Sequence, residues 1–116
     1  VNVFDPSGKL IKRLASQGAL NSPWGMTLAP AGFGKFSGRL LIGNFGNGMI
    51  NAYDVATGDS VGPLTRPNQQ PIQIDGLWGL AFGNGFANQA VNSLFFAAGP
   101  EEEQHGLYGR IDVVGQ

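Results

Sequence analysis

Several kinds of residue are scarce in this chain of 116 residues, and each scarcity excludes a class of function. There is no cysteine, so neither a disulfide nor a thiolate metal site forms, and the redox compartment stays open. Charged residues make up only 13% and the formal net charge is −1, which gives no field to attract nucleic acid. A single histidine excludes a centre of several imidazoles within one chain. No apolar run reaches the roughly 18 residues of a membrane span.

Glycine, by contrast, is abundant, with 19 residues, and apolar residues make up 42% of the chain. Average proteins contain roughly 7% glycine, so the excess favours tight turns between short, closely packed strands. The apolar content is that of a globular chain and argues against disorder. The N-terminal residues 1–4 lack the basic and apolar regions of a signal peptide. They also lack an initiator methionine, which suggests a processed or excised piece.

A six-residue apolar stretch that begins with Trp-Gly occurs twice, at residues 24–29 and 78–83. Each copy is followed by a glycine-rich gap and a second apolar run, at residues 40–43 and 94–97. The two tryptophans are 78 − 24 = 54 positions apart, and Leu40 and Leu94 have the same separation. A repeat near 50 residues built from short apolar segments is typical of a β-propeller blade.

Turn residues divide the rest of the chain into further short strands. Residues 1–5 and 9–14 flank Pro-Ser-Gly and predict a hairpin whose lysine-containing second strand suits an exposed sheet edge. Residues 24–29, 39–43, 49–54 and 60–64 predict the four strands of one blade. Residues 78–82, 92–98 and 107–114 predict three strands of a second blade. Pro63, Pro67 and Pro71 argue against a central strand in the connection between the two blades.

The predicted fold class is all-β, with two four-stranded antiparallel blades of a β-propeller. The predicted organisation is a single two-blade unit over residues 1–116. It comprises a hairpin at 1–15 that completes a blade, a blade at 24–65 and three strands of a second blade at 77–114. Residues 1–5 are similar to residues 50–54, and residues 111–114 resemble both, so the three segments are copies of the same strand. In this alignment Asp112 has the position of Asn2 and Asn51. One third-position strand is therefore present in duplicate.

Four segments carry a resemblance to a known family: residues 21–34, 41–54, 74–85 and 94–103. They resemble an uncharacterised bacterial β-propeller family related to NHL repeats, and the chain is similar to its C-terminal third, about two blades. The resemblance implies a six-bladed propeller formed by a longer chain. It also implies an extracellular or periplasmic location. It implies no catalytic residue, because that family has no established activity.

Two blades alone would leave two apolar faces in water. Repeats of this kind bury their faces only against neighbours, and at least about three are usually needed for stability. Covering both faces with copies of the same chain is the simplest remedy, and three copies of two blades would give six. A homotrimer is therefore the predicted assembly, and it must close by rotation because head-to-tail contacts otherwise polymerise.

Trp24, Trp78 and Asn44 are candidates for ligand binding. The tryptophans suit a channel lining or a stacking platform for sugars, although their repetition at one blade position equally fits packing between blades. Asn44 lies in a Gly-Asn turn that superficially resembles a phosphate-binding glycine loop. That turn leads into a strand rather than a helix N-terminus, so turn formation explains it better.

His105 is the fourth candidate ligand-binding residue, and it follows three consecutive glutamates at residues 101–103. Carboxylates of this kind are suited to a hard cation such as Ca²⁺, while the alternative is a solvated loop between strands. No catalytic or metal-ligating residue is assigned, because Ser-His-Asp chemistry needs a positioned base and nothing around His105 suggests one. Asp5 and Asp54, each at the end of a strand, are expected to accept hydrogen bonds from turn N–H groups.

These observations favour a propeller binding or scaffold module without catalysis of its own, for an unknown small-molecule, glycan or protein ligand. The alternative is a propeller hydrolase or lyase with a metal in a central channel. A third possibility is a purely structural fragment. Neither nucleic acid nor a membrane span is expected.

Overall fold

The computed structural model describes residues 1–114, and that part of the chain contains nine β-strands in three antiparallel sheets. The strands are β1 (Asn2–Phe4), β2 (Leu10–Arg13), β3 (Pro23–Leu28), β4 (Leu40–Asn44), β5 (Ile50–Tyr53), β6 (Ser60–Pro63), β7 (Leu77–Phe82), β8 (Leu94–Ala98) and β9 (Leu107–Ile111). A 3-10 turn at Gly34–Phe36 and a helical turn at Pro100–Glu103 complete the elements.

Strands β1 and β2 form a hairpin, β3-β4-β5-β6 form a four-stranded sheet and β7-β8-β9 form a three-stranded sheet. The all-β prediction with antiparallel sheets is confirmed. A second four-stranded sheet is not formed within residues 1–114, where β7, β8 and β9 pair as three strands and β9 is an edge strand. The three sheets form no closed ring within the described residues, so closure and the homotrimer remain predictions.

Each Trp-Gly pair lies at a β-bulge. In the four-stranded sheet the register shifts between Pro23 and Met26, so that the Trp-Gly pair lies opposite one residue of β4. In the three-stranded sheet the register shifts in the same way between Leu77 and Leu80. A bulge bends its strand and increases the local twist. The repeat of 54 residues is therefore present in the backbone geometry as well as in the sequence.

The main hydrophobic core lies between the four-stranded and three-stranded sheets. Its buried members come from both sheets and from the connections beside them: Ala29, Phe33, Phe36, Leu41, Ile50, Ala52, Leu64, Ile74, Leu77, Leu80, Leu94 and Ala98. Phe33 meets Phe82 edge to face, with ring centroids 5.0 Å apart. Each large apolar side chain buried here stabilises the fold by roughly 1.5–3 kcal/mol.

Strands β4 and β5 are covered on both faces. Ile50 belongs to the main core, whereas Tyr53 alternates to the opposite face and is also buried. The hairpin lies on that side: the Lys12 ammonium donates to the carbonyl oxygens of Val55 (3.3 Å) and Ala56 (2.9 Å) in the β5–β6 turn. The order of layers is therefore hairpin, four-stranded sheet, three-stranded sheet.

The first strands of the two larger sheets approach each other main chain to main chain. A Cβ atom built on Gly25 would lie 2.5 Å from the Trp78 carbonyl oxygen and 2.9 Å from the Leu80 nitrogen. Gly79, which has the same repeat position in the three-stranded sheet, has open space at the equivalent point. Only glycine therefore fits at position 25, where β3 and β7 meet.

The third strands align differently from the sequence comparison. Tyr53 pairs with Leu40 and Ile111 pairs with Leu94, and Leu40 and Leu94 have the same repeat position. Asp112 therefore has the repeat position of Asp54, and the prediction that it matches Asn51 is wrong. Side chains alternate between faces with period two, so three or four similar residues specify a register only weakly.

Candidate functional site

Two of the predicted ligand-binding residues, Trp24 and Trp78, lie against each other at adjacent strand ends. Their rings meet edge to face, with centroids 4.6 Å apart and an interplanar angle of 80°. The Phe45 ring also contacts Trp78, with centroids 4.8 Å apart. Aromatic pairs of this geometry contribute about 0.5–1.5 kcal/mol beyond simple burial. Trp24 is 63% exposed, so this cluster combines packing with one accessible ring.

Asn44 precedes Phe45 and lies behind this cluster, fully buried. Its Nδ2 donates to the Ala19 carbonyl oxygen (2.9 Å), and its Oδ1 accepts from the Asn21 backbone N–H (3.1 Å). The side chain thus anchors the connection that leads into β3. A role of Asn44 in ligand binding remains a prediction, and the contacts described here all lie within the chain.

His105, the fourth candidate, lies at the end of an exposed turn over residues 99–105. Its Nε2 is 3.2 Å from a carboxylate oxygen of Glu101, and both side chains are largely exposed. The backbone N–H of Glu101 donates to Asp75 Oδ2 at 2.9 Å. The turn borders the aromatic cluster, since a Cβ on Gly99 would lie 3.2 Å from Trp78 Nε1.

The three glutamates of this turn do not converge on a cation site. All three have left-handed backbone dihedrals, with φ of 56°, 54° and 68° at residues 101–103. Over residues 1–114, no three side chains of His, Cys, Asp or Glu lie close enough together to hold a metal ion. The Ca²⁺ alternative therefore finds no coordinating cluster in the part of the chain that the structure describes.

Asp5 and Asp54 accept hydrogen bonds from turn N–H groups, as the sequence predicted. Asp5 Oδ1 accepts from the backbone of Ser7 and of Lys9, both at 2.9 Å, and Asp54 Oδ1 accepts from the β5–β6 turn in the same way. The Ser7 hydroxyl and the Lys9 N–H lower the pKa of the Asp5 carboxyl. These carboxylates organise turns.

A second polar link recurs with the repeat. Arg39 donates to Asp54 at 2.6 Å, and Ser93, which has the repeat position of Arg39, donates through its hydroxyl to Asp112. Both links join the start of the second strand to the end of the third strand of the same sheet. They are structural features of each sheet, and Asp5, Asp54 and Asp112 form no catalytic set.

A cleft of about 960 Å³ is lined by the β3–β4 connection, the β6–β7 connection and the end of β9, and sequence reasoning missed it. Its floor is apolar and includes Phe36, Leu64 and Ile111, while Lys35, Arg66 and Arg110 stand at its rim. The basic residues are far apart in the sequence and follow no motif. No signal in a single sequence would have gathered them.

The rim cations differ in their partners. Arg110 Nε is 3.0 Å from Asp112 Oδ2, so its charge is largely neutralised. Lys35 Nζ lies 5.0 Å from the centroid of the Phe36 ring, a cation–π contact. Neither Lys35 nor Arg66 forms an ion pair with another residue of the described chain. The cleft therefore joins an apolar floor to two cations available for an external anion.

Curated proteins of Acanthamoeba polyphaga mimivirus are similar to this chain. "Uncharacterized protein L690" is 38% identical over 111 residues, which cover 96% of this chain and 28% of that protein. "Uncharacterized protein R648" is 39% identical over 111 residues, covering 96% and 26%. "Uncharacterized protein R640" is 36% identical over 80 residues, covering 69% and 15%. The chain thus spans about a quarter of the length of the first two relatives. No family model and no solved structure matches it.

The expected membership of a bacterial NHL-like propeller family is wrong. The matching curated proteins are viral, no family model matches, and residues 1–114 form a small all-β domain with sheets of two, four and three strands rather than a set of blades. The spacing misled because any series of similar antiparallel sheets gives the same alternation of apolar segments and turns. The expected export followed from that resemblance alone and remains an untested prediction. Within the described residues, no helix is long and apolar enough to cross a membrane.

Proposed function

We propose that this chain is a non-catalytic binding or scaffold module whose ligand surface is the cleft lined by the β3–β4 connection, the β6–β7 connection and the end of β9. The observation that carries the proposal is the combination of an apolar floor at Phe36 and Leu64 with Lys35 and Arg66, two cations that form no ion pair within residues 1–114. Binding pockets in proteins commonly pair a largely apolar lining with a few polar groups that orient the ligand.

The chemistry of the rim supports binding rather than proton transfer. Guanidinium and ammonium groups form charge-assisted hydrogen bonds with carboxylates, sulfonates and phosphates. His105 lies outside this cleft and has Glu101 as its neighbour. The ligand that fits best is an anionic molecule with an apolar body, such as an acidic peptide segment with apolar side chains.

Titration with 8-anilinonaphthalene-1-sulfonate, an anionic and apolar fluorescent probe, tests this proposal. Replacing Arg66 by Gln removes a cation from the rim without changing the apolar floor, so the affinity for the probe is expected to fall about threefold to tenfold. Lys9→Gln, which removes an exposed cation from the hairpin turn, is the matched control and should leave the affinity unchanged. An Arg66→Gln protein that binds the probe as tightly as wild type would rule out the cleft as the binding surface.

We further propose that the module associates with copies of itself. Met26 and Leu28 on one side and Tyr108 on the other leave apolar surface exposed at both ends of the stack of sheets, and such surface favours association. A closed ring, such as the trimer predicted from the sequence, would cover both exposed faces of every copy. Sedimentation equilibrium distinguishes it from an open polymer, whose mass would rise continuously with concentration.

A further inference from the structure

The contact between the two larger sheets joins unlike faces. The four-stranded sheet contributes the face that carries Gly25 and Gly43, while the three-stranded sheet contributes the face that carries Leu80. A Cβ on Gly43 would lie 2.9 Å from Leu77 Cδ2 and 3.1 Å from Leu80 Cδ1, so this interface is closely packed. Each sheet therefore has a receiving face and an inserting face, and the chain shows one such junction.

The receiving face of the three-stranded sheet has no partner among the described residues. It carries Gly79, Ala81, Phe95, Ala97 and Tyr108, which alternate with the core residues along β7, β8 and β9. Tyr108 is 64% exposed and stacks on Phe95, with ring centroids 5.9 Å apart. The surface is largely apolar, with small residues on the first strand and aromatic residues on the later ones, and the exposed Arg110, which pairs with Phe95, adds one cation to it.

Gly79 is the residue on this face that the isolated chain does not explain. Its φ is not positive and a Cβ would meet nothing within 4 Å, so any small residue would fit there. Gly25, at the same repeat position, must be glycine because β7 lies against it. A glycine at position 79 is therefore what the surface requires if another strand lies against it as β7 lies against β3.

The complementary inserting face is exposed on β3. Met26 and Leu28 have the repeat positions of Leu80 and Phe82, which make the internal junction. They are 48% and 59% exposed, whereas Ile42 and Tyr53 on the same face of the sheet are buried. An exposed receiving face therefore lies on the three-stranded sheet, and an exposed inserting face lies on β3 of the four-stranded sheet.

One steric conflict determines how a second copy would dock. The β1–β2 hairpin contacts the β5–β6 turn of the four-stranded sheet through Lys12, and β9 of an incoming sheet would compete with β1 for the place beside β2. The β1–β2 ladder pairs three residues of β1 and its register shifts at Phe4, whereas the β8–β9 ladder pairs five residues without a shift. Moreover, β9 has no second neighbouring strand within residues 1–114, whereas the equivalent strand β5 pairs with β6. The incoming β9 is therefore the better-formed third strand.

We propose that two copies of this chain associate head to tail, the receiving face of one three-stranded sheet docking on Met26 and Leu28 of the other copy. In this junction β9 of the first copy takes the place of β1 and pairs with β2 of the second copy, which completes a four-stranded sheet across the interface. This inference rests on the self-association proposed above. It specifies the two faces that meet and the exchange of β1 for β9.

Sedimentation velocity from about 10 μM to 1 mM tests the two faces, a range that covers weak and moderate affinities. Gly79→Ala places a methyl group between the docking strands and Leu28→Glu charges the inserting face, so each variant is expected to weaken association by about tenfold or more. Gly106→Ala is the matched control, because its Cβ also meets open space but lies outside the face.

Mixing the two variants tests the head-to-tail direction. Each variant retains one intact face, so an equimolar mixture is expected to form a one-to-one heterodimer that grows no further. A mixture that stays monomeric, or variants that associate as wild type does, would overturn the proposed faces while leaving self-association standing. A wild-type chain that is monomeric at every concentration would overturn the self-association itself.

A reversible disulfide tests the strand exchange. Asn2 and Arg13 are paired across the hairpin, and directly paired residues of antiparallel strands lie within reach of a disulfide. The chain has no other cysteine, so Asn2→Cys with Arg13→Cys gives one defined bridge that locks β1 onto β2. The oxidised protein is expected to be monomeric, and the reduced protein to associate as wild type does. Equal association in both states would exclude the exchange of β1 for β9.

Discussion

Tyr53 and Asp54 are neighbours at the end of β5, and their polar groups have opposite surroundings. The Tyr53 hydroxyl is buried and has no hydrogen-bond partner among residues 1–114, and burial raises the pKa of this phenol. The Asp54 carboxylate points outward and accepts from Thr57, Ala56 and Arg39, in that order of effect, which lowers its pKa. One residue therefore destabilises the native state through its polar group, and the other stabilises it.

Replacing Tyr53 by Phe is expected to stabilise the protein. The substitution keeps the ring and removes a buried hydroxyl, which loses its hydrogen bonds to water on folding and gains none within residues 1–114. The free energy of unfolding should therefore rise by about 1 kcal/mol. Urea denaturation of dilute protein measures this change. Tyr108→Phe, at an exposed site, is the control and should change stability by less than about 0.5 kcal/mol. A loss of stability in Tyr53→Phe would mean that the hydroxyl has a partner in solution.

Acid is expected to destabilise the protein through Asp5 and Asp54. Their folded-state pKa values lie below the ordinary value, so their contribution is fully present above the unfolded pKa of about 4 and is lost as pH falls through the folded pKa. The urea midpoint should therefore be constant near neutrality and decrease below about pH 4. Asp54→Asn should flatten this decrease. An unchanged acid profile in Asp54→Asn would show that its hydrogen bonds do not stabilise the fold.

At the scale of the elements, the meeting of β3 with β7 allows a matched pair of substitutions. Gly25→Ala would force a methyl group against the β7 backbone, which cannot yield as a flexible side chain can, so a loss of about 1–3 kcal/mol is expected. Gly79→Ala, at the equivalent but open position, should change stability by no more than about 0.5 kcal/mol. Thermal and urea unfolding at low concentration compare the two. Equal losses would indicate a general cost of alanine at the bulge rather than the close approach of strands.

The sequence predicted elements better than their registers. The strands around Leu41, Ile50 and Leu94 were found because short apolar runs between Gly-Asn turns have a single simple interpretation. The position of Asp112 was predicted wrongly, because the weak similarity between the third strands allows more than one alignment. The register of a strand is set by its backbone hydrogen bonds to the neighbouring strand, and the strand's own sequence does not contain this information.

The candidate site was less predictable than the fold. The contact between Trp24 and Trp78 follows from their repeat spacing, and both lie at strand ends as expected. The cleft cannot be predicted from the repeat spacing. Lys35, Arg66 and Arg110 come from different connections or strand ends, and these approach each other only because of the way the two sheets pack. A single sequence contains no local signal for a relation of that kind.

For the whole molecule, the order of layers predicts a gradient of local stability. Strands β4 and β5 are buried on both faces, whereas β2 is exposed along its whole length. Amide hydrogen exchange should therefore be slowest in β4 and β5 and fastest in the β1–β2 hairpin, because few buried contacts oppose its local opening. Exchange measured residue by residue by NMR tests this order. Uniform protection across all three sheets would contradict it.

The contact at Gly25 also has a geometric consequence for any longer series of these sheets. At Gly25 the two sheets are separated by little more than two main chains, while at the far end of β7 Phe33 and Phe82 pack between them and a cleft opens beyond. The junction is therefore wedge-shaped. Each further junction of the same kind would add its own tilt in the same sense, as in other repeat proteins, so that a growing series bends into an arc whose concave side lies along the tryptophan-bearing strands.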